Sequence, residues 1–182
     1  MDERPRHRRD VRARPVGAPM IVLGIDPGPA ESAWVLWDGQ RVREHGKDRN
    51  EHLDNAFFRA HMADVVAVEM IQSFGMAVGA EVFETCVWVG RLMERAERAA
   101  IPGVRRVFRM AVKMHLCHSS RAKDKNIRQA LIDRVGAPGS KKLPGPTFGL
   151  SGDRWAALAV AVTAMDAGRA GTPGKLEEET GR

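Results

Sequence analysis

At 182 residues with 43% hydrophobic side chains, the chain is long enough to bury one substantial core and short enough for a single domain. Lysine and arginine outnumber aspartate and glutamate by 29 to 23 and the pI is near 9.9, a balance that favours a polyanionic partner, nucleic acid first. The absence of a run of about 18 apolar residues argues against a membrane span, and no apolar segment follows the Arg-rich start to make a secretory signal.

Cys86 and Cys117 both sit in apolar contexts, which suits free thiols in a reduced, cytoplasmic setting. Residues 1–15 carry six Arg against three acids, with two Pro and almost nothing apolar. Such a segment cannot fold alone, so residues 1–18 read as a basic flexible arm, either nucleic-acid-binding or merely solubilising. From 168 to 182 the chain turns Gly/Pro-rich and then acidic, and a disordered tail is expected there. Between the two lies one domain, 19–167.

The first element is an apolar run over Met20–Asp26, the pattern of a strand buried on both faces. It ends in a carboxylate, Asp26, followed by Pro27 and Gly28, which stop and turn the chain. Ser32–Trp37 is a second strand, and Asp38-Gly39 signals a tight hairpin into a third at Arg41–His45. Glu51–Met62 shows helical spacing through Leu53, Ala56, Phe57 and Ala60. Asp64–Glu69 is another buried-type strand, and it too ends in a carboxylate.

Met76–Ala99 reads as a long helix with Val78, Val82, Cys86, Val89 and Met93 on one stripe, stopped by Pro102-Gly103. Val104–Phe108 is a fifth strand. Ala122–Val135 is a basic helix with Ile127, Leu131 and Val135 on its inner side. A Pro/Gly-rich loop over Gly136–Leu150 leads to a last helix, Ser151–Met165, with Ser151 as its expected N-cap and Asp153 in its first turn. A meander followed by alternating strands and helices predicts a mixed α/β architecture.

Three acids occupy comparable places: Asp26 and Glu69 end strands, and Asp153 opens the last helix. If the two strands are parallel neighbours, their ends share the sheet edge where α/β proteins build sites. Clustered carboxylates repel one another and call for a hard divalent cation, Mg²⁺ or Mn²⁺. In a basic protein the natural substrate is then a phosphodiester. Taken singly, Asp26 is also explained as a turn-bonding residue, Glu69 as a surface acid and Asp153 as a helix cap.

The ordered set Gly-Ile-Asp-Pro-Gly at 24–28, Val-Val-Ala-Val-Glu at 65–69, Val-Gly-Arg at 89–91, Ala-Val-Lys at 111–113 and Gly-Asp-x-x-Ala-Ala-Leu-Ala-Val-Ala at 152–161 resembles the RuvC Holliday-junction resolvases of the ribonuclease H-like nuclease superfamily, in a divergent or phage-type form. The resemblance implies a mixed five-stranded sheet, its first three strands an antiparallel meander, flanked by helices. It also implies a metal-dependent endodeoxyribonuclease that cuts branched DNA as a homodimer in a bacterial or phage-infected cell. By position it makes Asp26, Glu69 and Asp153 the metal-holding, catalytic carboxylates and Lys113 a contact to the DNA backbone. It further places a base-stacking aromatic at Phe74, which otherwise reads, with Met76 and Val78, as core or dimer interface.

The chain departs from the family at Ala156, where a second last-helix acid is usual. Either three carboxylates suffice, or Asp124 reaches in, or the site is slow or silent. Other readings are a relative that trims RNA and a silent DNA-binding module; an actin-like phosphotransferase fits poorly.

Arg121, Lys123, Lys125, Arg128, Lys141 and Lys142 form the strongest internal basic patch, a solvated face or a phosphate track. His115, Cys117 and His118 lack a second ligand pair for zinc.

Overall fold

The computed structural model describes residues 19–72, 75, 77–169. The arm 1–18, Phe74 and residues 170–182 lie outside the described residues, so the expectations placed on them are not addressed by the structure.

Five strands form one mixed sheet in the order β3-β2-β1-β4-β5. The strands are β1 (Val22–Pro27), β2 (Glu31–Trp37), β3 (Val42–Arg49), β4 (Val65–Met70) and β5 (Gly103–Phe108). The first three pair antiparallel as a meander, while β1, β4 and β5 run parallel. Parallel neighbours need crossovers, and α1 (Asn55–His61) and α2 (Ala80–Arg98) supply them. This is the ribonuclease H-like arrangement expected from the sequence.

Two hydrophobic layers follow from the strand period of two. Leu23, Ile25, Trp34, Val66 and Val68 face α1 and α2. Val22, Ala33, Val35, Val65, Ala67 and Val107 face α3 (Arg109–Cys117), α4 (Asp124–Val135) and α5 (Arg154–Arg169). Ten of the sixteen residues of α5 are buried, so it is a central helix rather than an amphipathic surface one. Its small residues permit close approach: a Cβ on Gly24 would fall 2.2 Å from the Ala157 carbonyl oxygen. The helix therefore rests directly on β1, which fixes its start above the sheet edge.

Several expectations are corrected. The third strand runs to Arg49 instead of His45, pairing with β2 along its length. α3, unanticipated, follows β5 without a break. The helix expected over 51–62 begins at Asn55, where Asp54 accepts the amides of Ala56 and Phe57, and a short 3₁₀ turn precedes it. In α2 the buried stripe is Thr85, Trp88, Val89, Leu92 and Ala96. Of the stripe expected there only Val89 is fully buried, and Val78 is exposed. Ser151 does not cap the last helix through its side chain; its hydroxyl accepts from the Arg154 guanidinium at 3.2 Å. Asp153 stands one residue before the helix instead of within its first turn. Among the described residues no helix is long and apolar enough to cross a membrane.

Candidate active site

Strand parity builds the site. On β1, Asp26 shares the face of Val22 and Gly24; on β4, Glu69 shares that of Val65 and Ala67. The parallel register pairs Ile25 with Val68, so Asp26 and Glu69 occupy the next position on neighbouring strands. Both carboxylates point to the α5 side, and α5, pressed against Gly24, begins just beyond them. Asp153 thereby comes within electrostatic reach of Asp26.

The electrostatics are those of a site short of positive charge. Burial, then the Glu69 charge and a hydrogen bond to Glu69, push the Asp26 carboxyl up to about 8, with Asp153 adding to the effect. Burial also raises Glu69, against the pull of Arg109. The two carboxyls face each other, and each is raised first by its own burial. Two adjacent buried carboxylates disfavour double ionisation.

Two cations engage the remaining acid oxygens, and sequence reasoning missed both. Arg109, directly after β5, donates to Glu69 at 3.2 Å and also pairs with Asp124. Lys47 on β3 donates to Asp153 at 2.7 Å. The sheet register explains its reach: Asp26 lies opposite Ala33, and Ala33 opposite Lys47. Arg109 carried a usable signal, because it sits at the end of a parallel strand just as Asp26 and Glu69 do.

An open cleft of about 730 Å³ lies over these groups. Its lining includes Asp26, Glu69, Asp153, Arg109, Asp124 and Ala156, with Lys125 and Arg128 on one wall. The Arg128 guanidinium stacks over Trp155, 5.0 Å from the ring centroid, which fixes its direction. Of the expected nucleic-acid contacts, Lys125 and Arg128 line the cleft. Lys113, Arg121, Lys123, Lys141 and Lys142 do not; Lys113 is on α3, and Lys141 and Lys142 are in the loop before α5. Asp124 does reach the cleft, held by Arg109 instead of joining the other acids. His115 is engaged elsewhere, 2.6 Å from Asp166.

The donor chemistry of Asp26, Glu69 and Asp153 fits a hard divalent cation: carboxylate oxygens only, with Asp26 and Glu69 both raised by burial. Their arrangement is not yet that of a metal centre. Among the described residues no three His, Cys, Asp or Glu side chains are gathered so as to hold an ion. Lys47 draws Asp153 aside, and Arg109 holds Glu69.

No protein-family model and no curated protein matches the chain. Solved structures do. A Thermus thermophilus RuvC structure superposes with a TM-score of 0.62 at 20% identity, covering 84% of this chain and 98% of that one. T. thermophilus RuvC in complex with Holliday junction substrate gives a TM-score of 0.63 at 20% identity, covering 84% and 97%. Together with the sheet order and the helices on its two faces, these likenesses show that the chain has the RuvC-like form of the ribonuclease H-like fold.

Proposed function

We propose that this protein is a divalent-metal-dependent endodeoxyribonuclease that cuts branched DNA, four-way junctions above all. The observation that carries the reading is the adjacent pair of acids Asp26 and Glu69, at the parallel-strand edge of a RuvC-like fold and under a basic-walled cleft. Asp26, Glu69 and Asp153 would hold Mg²⁺ or Mn²⁺, which when bound supplies charge neutralisation for phosphodiester hydrolysis.

The chain's own residues do the rest. Asp26, raised by burial and then by the Glu69 charge, would serve as a ligand in its ionised form, which a bound cation favours. Arg109 keeps Glu69 oriented from the side. Lys125 and Arg128 hold backbone phosphates without reading sequence. Such work belongs in the cytoplasm, with the DNA.

A junction presents two strands to be cut, and a homodimer supplies two sites. On α2, Trp88 and Val89 are spent in the core, whereas Phe83 and Val87 stand 63% and 48% exposed one turn apart. That outward apolar face is where a second copy docks.

A second reading has its own observation. Ala156 lines the cleft beside Asp153, and Arg109 and Lys47 already neutralise part of the acid cluster. Those features suit a junction-binding module that does not cut. Incubation of labelled four-way junction, linear duplex and structured RNA with Mg²⁺ or Mn²⁺ separates the readings. Wild-type protein is expected to cut the junction in a metal-dependent manner, and Asp26→Asn to bind it without cutting. Tight binding with no cleavage in either metal establishes the silent module, and preferential RNA trimming moves the substrate to RNA.

A further inference from the structure

A second groove, of about 710 Å³, lies on the other side of the acid cluster. It shares Asp26, Pro27 and Asp153 with the first cleft, so the two form one continuous trough passing over the carboxylates. Lys125 and Arg128 wall one end; Lys47 and Arg49 wall the other. The register makes this second wall. Lys47 and Arg49 are two residues apart on β3, hence on one face, opposite Ala33 and Glu31.

The floor of the groove is prebuilt. It is the turn Gly28-Pro29-Ala30, whose small side chains leave the backbone open to close approach. Gly28 is required there, because a Cβ would lie 2.6 Å from the Glu31 carbonyl oxygen. From behind, the fully buried Asn50 holds the turn by three bonds. Its side-chain amide donates to the Gly28 carbonyl at 2.9 Å, its backbone N–H donates to Ala30 at 3.0 Å, and its side-chain oxygen accepts the Ser32 hydroxyl at 2.6 Å. A rigid turn under two cations is a receptor surface, since ordering costs little when a ligand arrives.

The cations are differently committed. Among the described residues Arg49 pairs only with Glu51, at a long 3.8 Å, and its side chain is 72% exposed. Lys47 is bonded to Asp153. Glu31 is the opposing acid of this groove, and it does not bond Lys47 or Arg49 directly.

We infer that the groove walled by Lys47 and Arg49 is a second channel for a phosphodiester backbone, and that Lys47 exchanges Asp153 for a backbone phosphate when the channel fills. This rests on the proposed nuclease function. It deepens that reading by giving the strand an exit path, and by making release of Asp153 to the metal depend on substrate.

The test measures affinity for a labelled four-way junction across a salt series in EDTA, with full-length protein. Each phosphate contact contributes close to 0.9 to the slope of log affinity against log salt. Lys47→Gln and Arg49→Gln are each expected to reduce the slope by about one, and the double variant by about two. Arg98→Gln, an exposed residue ion-paired with Glu94 on α2, controls for net charge and leaves the slope unchanged. Mn²⁺ titration followed by electron paramagnetic resonance, without DNA, reads the exchange. Lys47→Gln is expected to bind Mn²⁺ several-fold more tightly than wild type, and Arg49→Gln to match wild type. Unchanged slopes in both variants overturn the channel, as does an equal loss in Arg98→Gln. Unchanged Mn²⁺ affinity in Lys47→Gln overturns the exchange. If the wild-type protein binds no junction, the proposed function itself fails, an outcome distinct from the others.

Discussion

The two ends of α5 carry two charged clusters built from similar parts and settled in opposite ways. In its C-terminal half, Asp166 is gripped by Arg134 through both guanidinium nitrogens, at 2.7 and 2.8 Å, and by His115 at 2.6 Å. Burial pushes the Asp166 carboxyl up, but the bonds from Arg134 and His115 outweigh it and hold the group below the usual carboxylate range. At the other end, Asp26 and Glu69 are both raised, burial being the largest cause for each. The distal cluster ties α3, α4 and α5 together and is electrostatically satisfied. The proximal one is left wanting a cation. Stored electrostatic strain of that kind is what the proposed metal site would relieve.

The sharpest way to break this contrast is Asp26→Asn, which keeps the shape and the hydrogen bond to Glu69 but removes the ionisation. Asp26 has a folded pKa above its unfolded one, so the folded state retains a proton that the unfolded state loses. Wild-type stability therefore falls as pH rises from about 4 to about 8. In EDTA at pH 8 the variant is expected to be about 2 kcal/mol more stable than wild type, a rise of roughly 4–8 °C in melting temperature. At pH 4 the two should melt together. Thermal unfolding across that range checks it; parallel curves would show that Asp26 is not strained.

Asp166→Asn should do the reverse. Replacing a carboxylate that accepts three bonds from cationic or ring nitrogens costs about 1–3 kcal/mol at pH 7. The folded pKa of Asp166 is lowered, so its contribution is present above pH 4 and is lost as pH falls through the folded value. The variant should thus lose stability at neutral pH and show a shallower acid limb than wild type in urea unfolding. Its metal-dependent cleavage at temperatures below melting should be unchanged, whereas Asp26→Asn abolishes cleavage while gaining stability.

The same contrast shows what was legible in the sequence. Asp26 and Glu69 stood out because each closes an apolar run, and buried strands rarely end in unpaired acid. Arg109 obeys the same positional rule, but in Val-Arg-Arg-Val-Phe-Arg a strand-end arginine looks like any other. Most of β3, Glu44–Arg49, has no alternating apolar residues. As an edge strand it is held by pairing with β2, a contact invisible to periodicity. That hid Lys47 and Arg49, and with them the second groove. α3 buries only Val112 fully, too little to leave a helical stripe. In α2 the apolar residues Phe83 and Val87 face outward while Thr85 is buried, so hydrophobicity alone does not mark the inner face.

His115→Gln probes the contrast most gently. The ring is more than a third exposed, and Arg134 alone already meets both Asp166 oxygens. Glutamine also keeps a donor for the carboxylate. A loss of about 0.5 kcal/mol or less is expected, and none when the change is added to Asp166→Asn, because the two residues act through one contact. Chemical denaturation of the four forms gives the coupling. A cost equal to that of Asp166→Asn would make His115, and not Arg134, the anchor of the distal cluster. That cluster would then hang on a single ring contact, and it would no longer be the settled counterpart of the acid pair at the other end of the helix.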